Sequence, residues 1–403
     1  MTQRGSEGLL SGLTRNTVFL ALASLFADIA TEMLYPVLPI YLTQTLKAGG
    51  TAVGLVEGVA EGTQNLVQGL AGSLSDRLER RKRIALVGYA IAALSKPLIG
   101  LSSSWQAVLG ARFADRFGTG VRSAPRDALV ASSADEAHRG KAFGLEGAGD
   151  NAGAFIGPLL AILLLVGLGL DLRWIFYLAV IPGLLAFLMV LFVEERSVSG
   201  PSKAKLEGGL GRFPRSYRAY LLATALFGLG NSSNAFLILE TKDLGASLTL
   251  TIAIYAAFNL VAALVSYPAG SLSDRFGRRN LIVAAFVVFF VSYLGFALTR
   301  NVALLGLLFA LYGVYQGIFR SVGKALASDL SPEPLRAGGV GWYGATVGLS
   351  GLVASAVAGQ LWDRVGHAAV FALGALTAAI GIIALLLLVR PTARTQGPRS
   401  ETA

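Results

Sequence analysis

The chain has 403 residues, of which 54% are hydrophobic and only 14% charged, with a formal net charge of +10. Ordinary globular domains carry about 25% charged residues; a water-soluble fold cannot bury this much apolar surface, so most of the chain needs lipid as its solvent. Cysteine is absent and the two histidines, His138 and His367, fall among polar residues between apolar segments, which excludes disulfides, thiol catalysis and zinc–cysteine sites and leaves carboxylates for proton chemistry inside the membrane.

Apolar runs of about 20 residues predict transmembrane helices, and twelve follow in order: 16–41, 52–75, 84–101, 105–130, 141–167, 173–193, 218–240, 248–272, 281–299, 302–328, 337–360 and 367–389. Alternating segments of about ten residues, the mark of barrel strands, do not recur. The fold class expected is an all-α membrane protein. The polar opening MTQRGSEGLL leads into a first span with no small-residue cleavage site, so a retained helix is expected rather than a signal peptide.

In the first span Asp28 and Glu32 are four residues apart and share a face. Glu57 and Glu61 repeat that spacing in the second. The third holds one interior charge, Lys96. In the fourth, Arg112, Asp115, Arg116, Arg122, Arg126 and Asp127 fall within an arc of roughly 140° at about 100° per residue, one charged face along the helix. Arg112 and Arg116 lie deep enough to pair with the acids of the first two spans, and Arg122 and Arg126 lie nearer Asp76. The fifth carries Asp150 and three glycines at four-residue spacing, Gly149, Gly153 and Gly157, which permit close helix packing; Pro158 removes a backbone hydrogen bond and favours a kink. The second set of spans has few acids but offers Asn231, Asn234, Tyr255, Asn259, Tyr312, Tyr315 and Gln316 as hydrogen-bonding and aromatic surface for a ligand. Spans three, six, nine and twelve are almost free of charge. Ionisable groups in a membrane face the protein interior, so every third helix is expected at the lipid-facing periphery.

Lysine and arginine set the orientation. One set of loops, with both termini, holds roughly 22 basic residues against about five on the other side. Both termini are therefore expected in the cytoplasm and the chain in the inner (plasma) membrane. The positive charge is scattered over many short loops, which argues against nucleic acid as a partner.

A segment occurs twice. Gly72-Ser-Leu-Ser-Asp76-Arg77-Leu-Glu-Arg80-Arg81 returns as Gly270-Ser-Leu-Ser-Asp274-Arg275-Phe-Gly277-Arg278-Arg279, and 270 − 72 gives an offset of 198 residues. The same offset aligns Arg122-Ser123 with Arg320-Ser321, Gly140 with Gly338 and Gly153 with Gly351. The chain reads as two parallel six-helix halves, 1–193 and 218–403, joined by a polar linker at 194–217. Parallel halves place a substrate site between them near the bilayer midplane.

These features resemble the major facilitator superfamily over nearly the whole length. The two copies of G-x-L-x-D-R-x-G-R-R look like that family's signature loop, although the first has Glu79 where glycine is usual. The resemblance implies a gating role for Gly72, Asp76, Arg77, Arg81, Gly270, Asp274, Arg275 and Arg279, with Arg122, Arg126 and Asp127 alongside, in locking the cytoplasmic side of an outward-open state. The fifth span looks like the antiporter motif of superfamily exporters, but Leu160 and Ala161 stand where paired glycines would continue it; ordinary helix packing accounts for the same glycines. The fourth-span pattern R-x-x-D-R-x-G-x-G-x-R-x-x-P-R-D-A is similar to a prokaryotic subgroup of uncharacterised superfamily members, with an extra Asp-Arg pair between the arginine and the glycines.

The function expected is alternating-access secondary transport, with proton-coupled export of a small organic compound, cationic or amphipathic, as the favoured reading. Asp28, Glu32, Glu57, Glu61, Arg112, Asp115, Arg116 and Asp150 form the expected coupling set; purely structural salt bridges are the bland alternative. Metal-ion export is the rival, because the four acids of the first two spans supply hard oxygen ligands. Uptake of a small anion remains open through the fourth-span arginines. No nucleotide loop, nucleophile–histidine set or ATPase-sized segment is present, so no cofactor or enzymatic activity is expected and an ion gradient is the energy source. A monomer is expected.

Overall fold

A computed structural model describes residues 14–78, 80–134, 138–195 and 209–389, with backbone alone at 72–78, 139, 334 and 337. The described residues are helical throughout, without strands: α1 (Arg15–Glu32), α2 (Leu38–Ile40), α3 (Gly50–Leu78), α4 (Arg81–Leu101), α5 (Trp105–Ser132), α6 (Arg139–Ile162), α7 (Leu172–Leu178), α8 (Val180–Leu191), α9 (Arg215–Gly228), α10 (Ala235–Asp243), α11 (Leu248–Phe276), α12 (Arg278–Leu298), α13 (Val302–Asp329), α14 (Arg336–Arg364) and α15 (His367–Leu388). Eight helices are long and apolar enough to cross a membrane by themselves. The remaining passes are the charged α3 and α5, which exceed them in charge, and two broken ones, α1–α2 and α9–α10.

The halves repeat in their element boundaries. α3 and α11 both run 29 residues and begin 198 residues apart; α4 and α12, α5 and α13, and α6 and α14 each begin 197 apart. The broken passes are equivalent too. α1 ends before Tyr35-Pro36, and proline both lacks an N–H and disfavours helix in the residue before it. α9 ends before Leu229-Gly230-Asn231-Ser232-Ser233, where glycine and short polar residues compete with helix.

Four pieces line the periphery. α4 exposes Val87, Leu94, Leu98 and Leu101; α8 Ile181, Leu184, Leu188 and Leu191; α12 Val287, Val291, Leu294 and Leu298; α15 Leu376, Ile380, Ile383 and Leu387. Each set is spaced by three, four or seven residues, an apolar stripe on one face. These are the third, sixth, ninth and twelfth passes.

The bundle is closed at one end and open at the other. At the end distal to the start of α1, α3 lies directly on α14. A Cβ on Gly54 would collide with the Ser355 carbonyl, one on Gly50 would lie 2.7 Å from Trp362, and one on Gly359 would lie 2.5 Å from the Gly50 carbonyl. Toward the opposite end Gly69, Gly144, Gly147, Gly270, Gly341 and Gly344, on α3, α6, α11 and α14, have open space where a Cβ would stand. The two halves therefore meet at the distal end and part toward the end where α1 begins and α15 finishes.

Candidate functional site

Three polar groupings occupy the interior. The first lies within the first half. Arg112, 1% exposed, forks onto Glu57 of α3, with Nε 3.2 Å from Oε1 and Nη2 3.3 Å from Oε2. Its Nη1 donates to Asp115 Oδ2 at 2.9 Å. Asp115 is fully buried and also takes Lys96 Nζ at 2.6 Å and Arg116 Nε at 3.4 Å. Arg116 Nη1 donates to Gln64 at 3.0 Å. Charges at this depth persist only when paired and hydrogen-bonded, and each carboxylate here is matched. Lys96 belongs to the grouping because α4 turns its apolar stripe outward and this one charge inward. The sequence pattern, which ranked α4 as peripheral, singled out Lys96 only as an exception.

The second grouping crosses between the halves at the closed end. Tyr255 donates to Glu32 Oε2 at 2.9 Å, and Asn259 Nδ2 lies 3.3 Å from the same oxygen and 3.2 Å from the Ala154 carbonyl of α6. Tyr35 stacks on Tyr255, with centroids 5.5 Å apart, and its hydroxyl meets Ser233 Oγ at 3.1 Å. Glu32, Tyr255 and Asn259, placed by sequence in a coupling set and a ligand cavity, are engaged with one another in this conformation.

The third lies toward the end where α1 begins. Arg126 Nη1 pairs with Glu146 at 2.9 Å and Asp150 at 3.5 Å, and its Nη2 with Asp127 at 2.9 Å; Ser24 bridges Arg126 and Glu146. Arg126 and Asp150, separated by sequence into gating and coupling sets, are thus one ion-pair group. Arg122 lies 4.5 Å over the ring of Tyr89. Near it, Asp28 packs on α6, where a Cβ on Gly153 would lie 2.8 Å from its own Cβ. The same glycine row seats α6 on α1: a Cβ on Gly149 would lie 2.5 Å from the Ala21 carbonyl, and one on Gly157 2.8 Å from the Met33 nitrogen. Pro158 sits within the same helix.

Between the halves is a small cavity of about 40 Å³, with Glu61 on one wall and Thr224, Phe227, Asn231, Phe319 and Val347 on the other. Glu57, Glu61 and Gln64 lie at i, i+4 and i+7 on one face of α3. Arg112 holds the first and Arg116 the last, so Glu61 stands between two arginine contacts while facing the cavity. Among the described residues no ion pair of 4 Å or less holds Glu61 or Asp28. Of the second-half residues read from sequence, Asn231 lines this cavity and donates to Tyr315 at 3.0 Å, while Tyr312 donates to Asn234 at 2.8 Å. Tyr312 and Tyr315 are buried in an aromatic core with Phe258 and Phe289. Gln316 is partly buried next to it. Phe227 and Phe319, the aromatic faces that do line the cavity, sit in apolar runs that give no sign of it in sequence.

In the second signature loop Gly277 adopts φ +89°, the left-handed region that favours glycine. Arg278 bridges Asp274 at 3.7 Å and Asp329 at 3.0 Å, while Arg279 donates to the Leu386 carbonyl at 2.8 Å. Arg278 and Asp329 carry the ion pairs in this conformation. Gly72, Asp76 and Arg77 have side chains outside the described residues, as does Glu79 entirely; Arg81 and Arg275 are engaged by neighbours.

The Major Facilitator Superfamily matches the chain over residues 20–230 and again over 220–403. An MFS-type transporter of Methanocaldococcus jannaschii, described as uncharacterised, is 34% identical over 382 residues, covering 93% of this chain and 95% of that protein. The multidrug resistance protein MdtG of Enterobacter lignolyticus is 26% identical over 320 residues, covering 75% of each. In fold, the crystal structure of the nucleoside transporter NupG aligns with a TM-score of 0.77 at 16% identity, covering 94% of this chain and all of that one. Twelve helical passes in two repeated halves, closed at one end around a central cavity, thus come with a matching family signature: the chain belongs to the Major Facilitator Superfamily.

Proposed function

We propose that the chain is a proton-coupled exporter of small organic compounds, cationic or amphipathic, working by alternating access. The observation that carries this is Glu61: a carboxylate without an ion pair among the described residues, facing the cavity opposite Phe227 and Phe319. A carboxylate among aromatic faces attracts an organic cation through charge and through the ring quadrupoles together. A group that binds either the cation or a proton, but not both, exchanges one for the other. Asp28, likewise unpaired, is the second exchange group. The similarity to multidrug resistance proteins supports export.

The excess of basic residues supports termini in the cytoplasm. In that orientation the closed distal end faces outward, and the conformation is inward-open. Of the fourth-span arginines an anionic substrate would need, Arg112, Arg116 and Arg126 hold carboxylates, while Arg122 lies over the ring of Tyr89. The metal-export alternative gains no support: among the described residues the one place where three carboxylates gather, Asp127, Glu146 and Asp150, is filled by the Arg126 guanidinium.

The test is survival of an efflux-deficient bacterial host across organic toxicants and metal salts, with wild type, Asp28→Asn and Glu61→Gln at matched membrane levels. Protection against organic cations that vanishes in both variants is the expected result. Protection confined to metal salts, or greater sensitivity to the organic compounds, overturns the reading.

A further inference from the structure

Lys96 is an anomaly that the export reading leaves unused. It sits on a lipid-facing helix, is 2% exposed, and directs its ammonium at Asp115 Oδ1, 2.6 Å away. Among the described residues the only other acceptor bonded to it is the Ala92 carbonyl one turn earlier, at 3.3 Å.

The charges around it do not balance. Lys96, Arg112 and Arg116 converge on two carboxylates, Asp115 and Glu57, a surplus of one positive charge in a desolvated interior. Glu61 is a carboxylate placed to offset it, being held on the face of α3 between the residues that Arg112 and Arg116 grip. Arginine does not release its proton in proteins. Asp115 meets three cations and Glu57 is forked by one. Lysine is the one cation of the three that exchanges a proton when buried.

A path for that proton lies alongside. Lys96 lines a small cavity with Thr31 of α1, Tyr89 and Arg122, with room for one water-sized group. The facing groups are accounted for element by element. α5 contributes Arg112, Asp115, Arg116 and the second cation of the cavity, Arg122. α4 contributes Tyr89, α1 the neutral Thr31, and α8 the uncharged Gly183 and Ala186. Beyond Asp115, Glu57 of α3 is reached only through Arg112.

We infer that Lys96 carries the proton exchanged for a cationic substrate. This rests on the export reading above, keeps Glu61 as the cation site, and moves the proton exchanged there from that carboxylate to Lys96. When a cation binds Glu61, that carboxylate no longer offsets the surplus charge of the cluster. The Lys96 ammonium then passes one proton to water in the adjoining cavity and becomes a neutral amine still hydrogen-bonded to Asp115. When the substrate leaves, Glu61 is free again and the amine takes a proton back. Substrate and proton thus compete through a relay of fixed charges without touching the same atom, and the coupling proton resides on a lysine rather than a carboxylate.

The experiment uses the full chain, purified and reconstituted in liposomes, with ethidium as the probe cation, in wild type, Lys96→Arg and Lys96→Gln. Two readouts are needed: ethidium accumulation driven by a pH gradient, and ethidium-for-ethidium exchange without one. In a weakly buffered solution, proton release on adding ethidium to detergent-solubilised protein is measured as well. Expected in Lys96→Arg, which keeps the cation and the Asp115 contact but cannot release a proton, are weaker ethidium binding, slower exchange and loss of both gradient-driven accumulation and proton release, whereas Lys96→Gln, neutral like the deprotonated amine, keeps exchange. Lys96→Gln should likewise bind without releasing a proton, and its binding should lose the pH dependence of wild type. Gradient-driven accumulation retained in either variant overturns the inference while leaving the export reading intact. Absence of proton-coupled ethidium movement in wild type overturns both. If Lys96→Gln does not fold, Lys96→Arg alone decides.

Discussion

Tyr35 and Ser233 stand 198 residues apart, at equivalent positions of the two halves, and their hydroxyl oxygens meet at 3.1 Å. Two equivalent residues touch only where the pseudo-symmetry axis passes, so this contact marks the axis at the closed end of the cavity. Both occupy the breaks of their passes, after α1 and before α10, where chain without helical hydrogen bonding lets the halves approach.

Removing that contact should loosen the closure. Tyr35→Phe keeps the stack on Tyr255 and deletes one hydrogen bond, worth about 1 kcal/mol. A single cysteine at Ser355, fully buried between the halves at the distal side, reports the opening. Labelling of Ser355→Cys by a membrane-impermeant maleimide from outside should rise several-fold on adding Tyr35→Phe. Unchanged labelling would separate the contact from gating.

The distal latch has a second part. Asp363, in the last turn of α14, accepts from Gly50 N at 2.7 Å, Thr51 N at 2.8 Å and Thr51 Oγ1 at 2.6 Å. α5, α11 and α13 start at the same end with caps of their own, Ser104, Ser247 and Asn301; the cap of α3 comes from the other half. Loss of a cap costs about 0.5–2 kcal/mol, and here it is lost whenever the halves part. Asp363→Ala should therefore raise Ser355→Cys labelling, while Ser104→Ala should lower the melting temperature without changing it. Equal effects of the two substitutions would make Asp363 merely structural.

Much of this arrangement was legible in the sequence. The 198-residue repeat, the charge-free third, sixth, ninth and twelfth spans and the basic loops follow from constraints that act on single residues: hydrophobic length, burial of charge, loop charge. The charged face of α5 was visible by helical spacing, and the depth of Arg112 and Arg116 pointed to the acids of the first two spans, of which Arg112 takes Glu57 while Arg116 meets Gln64 and Asp115 instead. What stayed hidden depends on the approach of distant elements. Asp363 reads as an ordinary helix-end acid until α3 is beside it, and Phe227 and Phe319 look like any core phenylalanines. Lys96 was visible but misjudged, since a rule that sends chargeless helices to the lipid says nothing of where their one charge points.

The Arg112 fork should be a structural keystone as well as part of the coupling cluster. Removing one member of a buried pair leaves an uncompensated charge and costs about 3–5 kcal/mol. Arg112→Met should lower the detergent melting temperature sharply. Arg112→Lys should recover only part, because an ammonium cannot reproduce the fork on Glu57 while also reaching Asp115. Adding Glu57→Gln to Arg112→Met should restore some stability by removing the stranded carboxylate. A double variant less stable than Arg112→Met alone would contradict this charge accounting.

The signature loops should act with the opposite sign to Asp363. In the present conformation Asp274 is 69% exposed and, among the described residues, pairs with the side chain of its own loop, Arg278, 3.7 Å away, while Arg278 in turn reaches Asp329. These contacts lie within the second half and are exposed, so each contributes at most about 1 kcal/mol to this conformation. A charge that locks the opposite end must make its stronger contacts in the state where that end is shut. Asp76→Asn and Asp274→Asn should therefore leave the melting temperature nearly unchanged and favour the present conformation. Labelling at Ser355→Cys should fall in both, where Asp363→Ala makes it rise, and gradient-driven transport should slow in all three, because a cycle is delayed by stabilising either end state. A rise in labelling with Asp76→Asn would place its charge at the distal closure's service and remove the signature loops from the opposing latch.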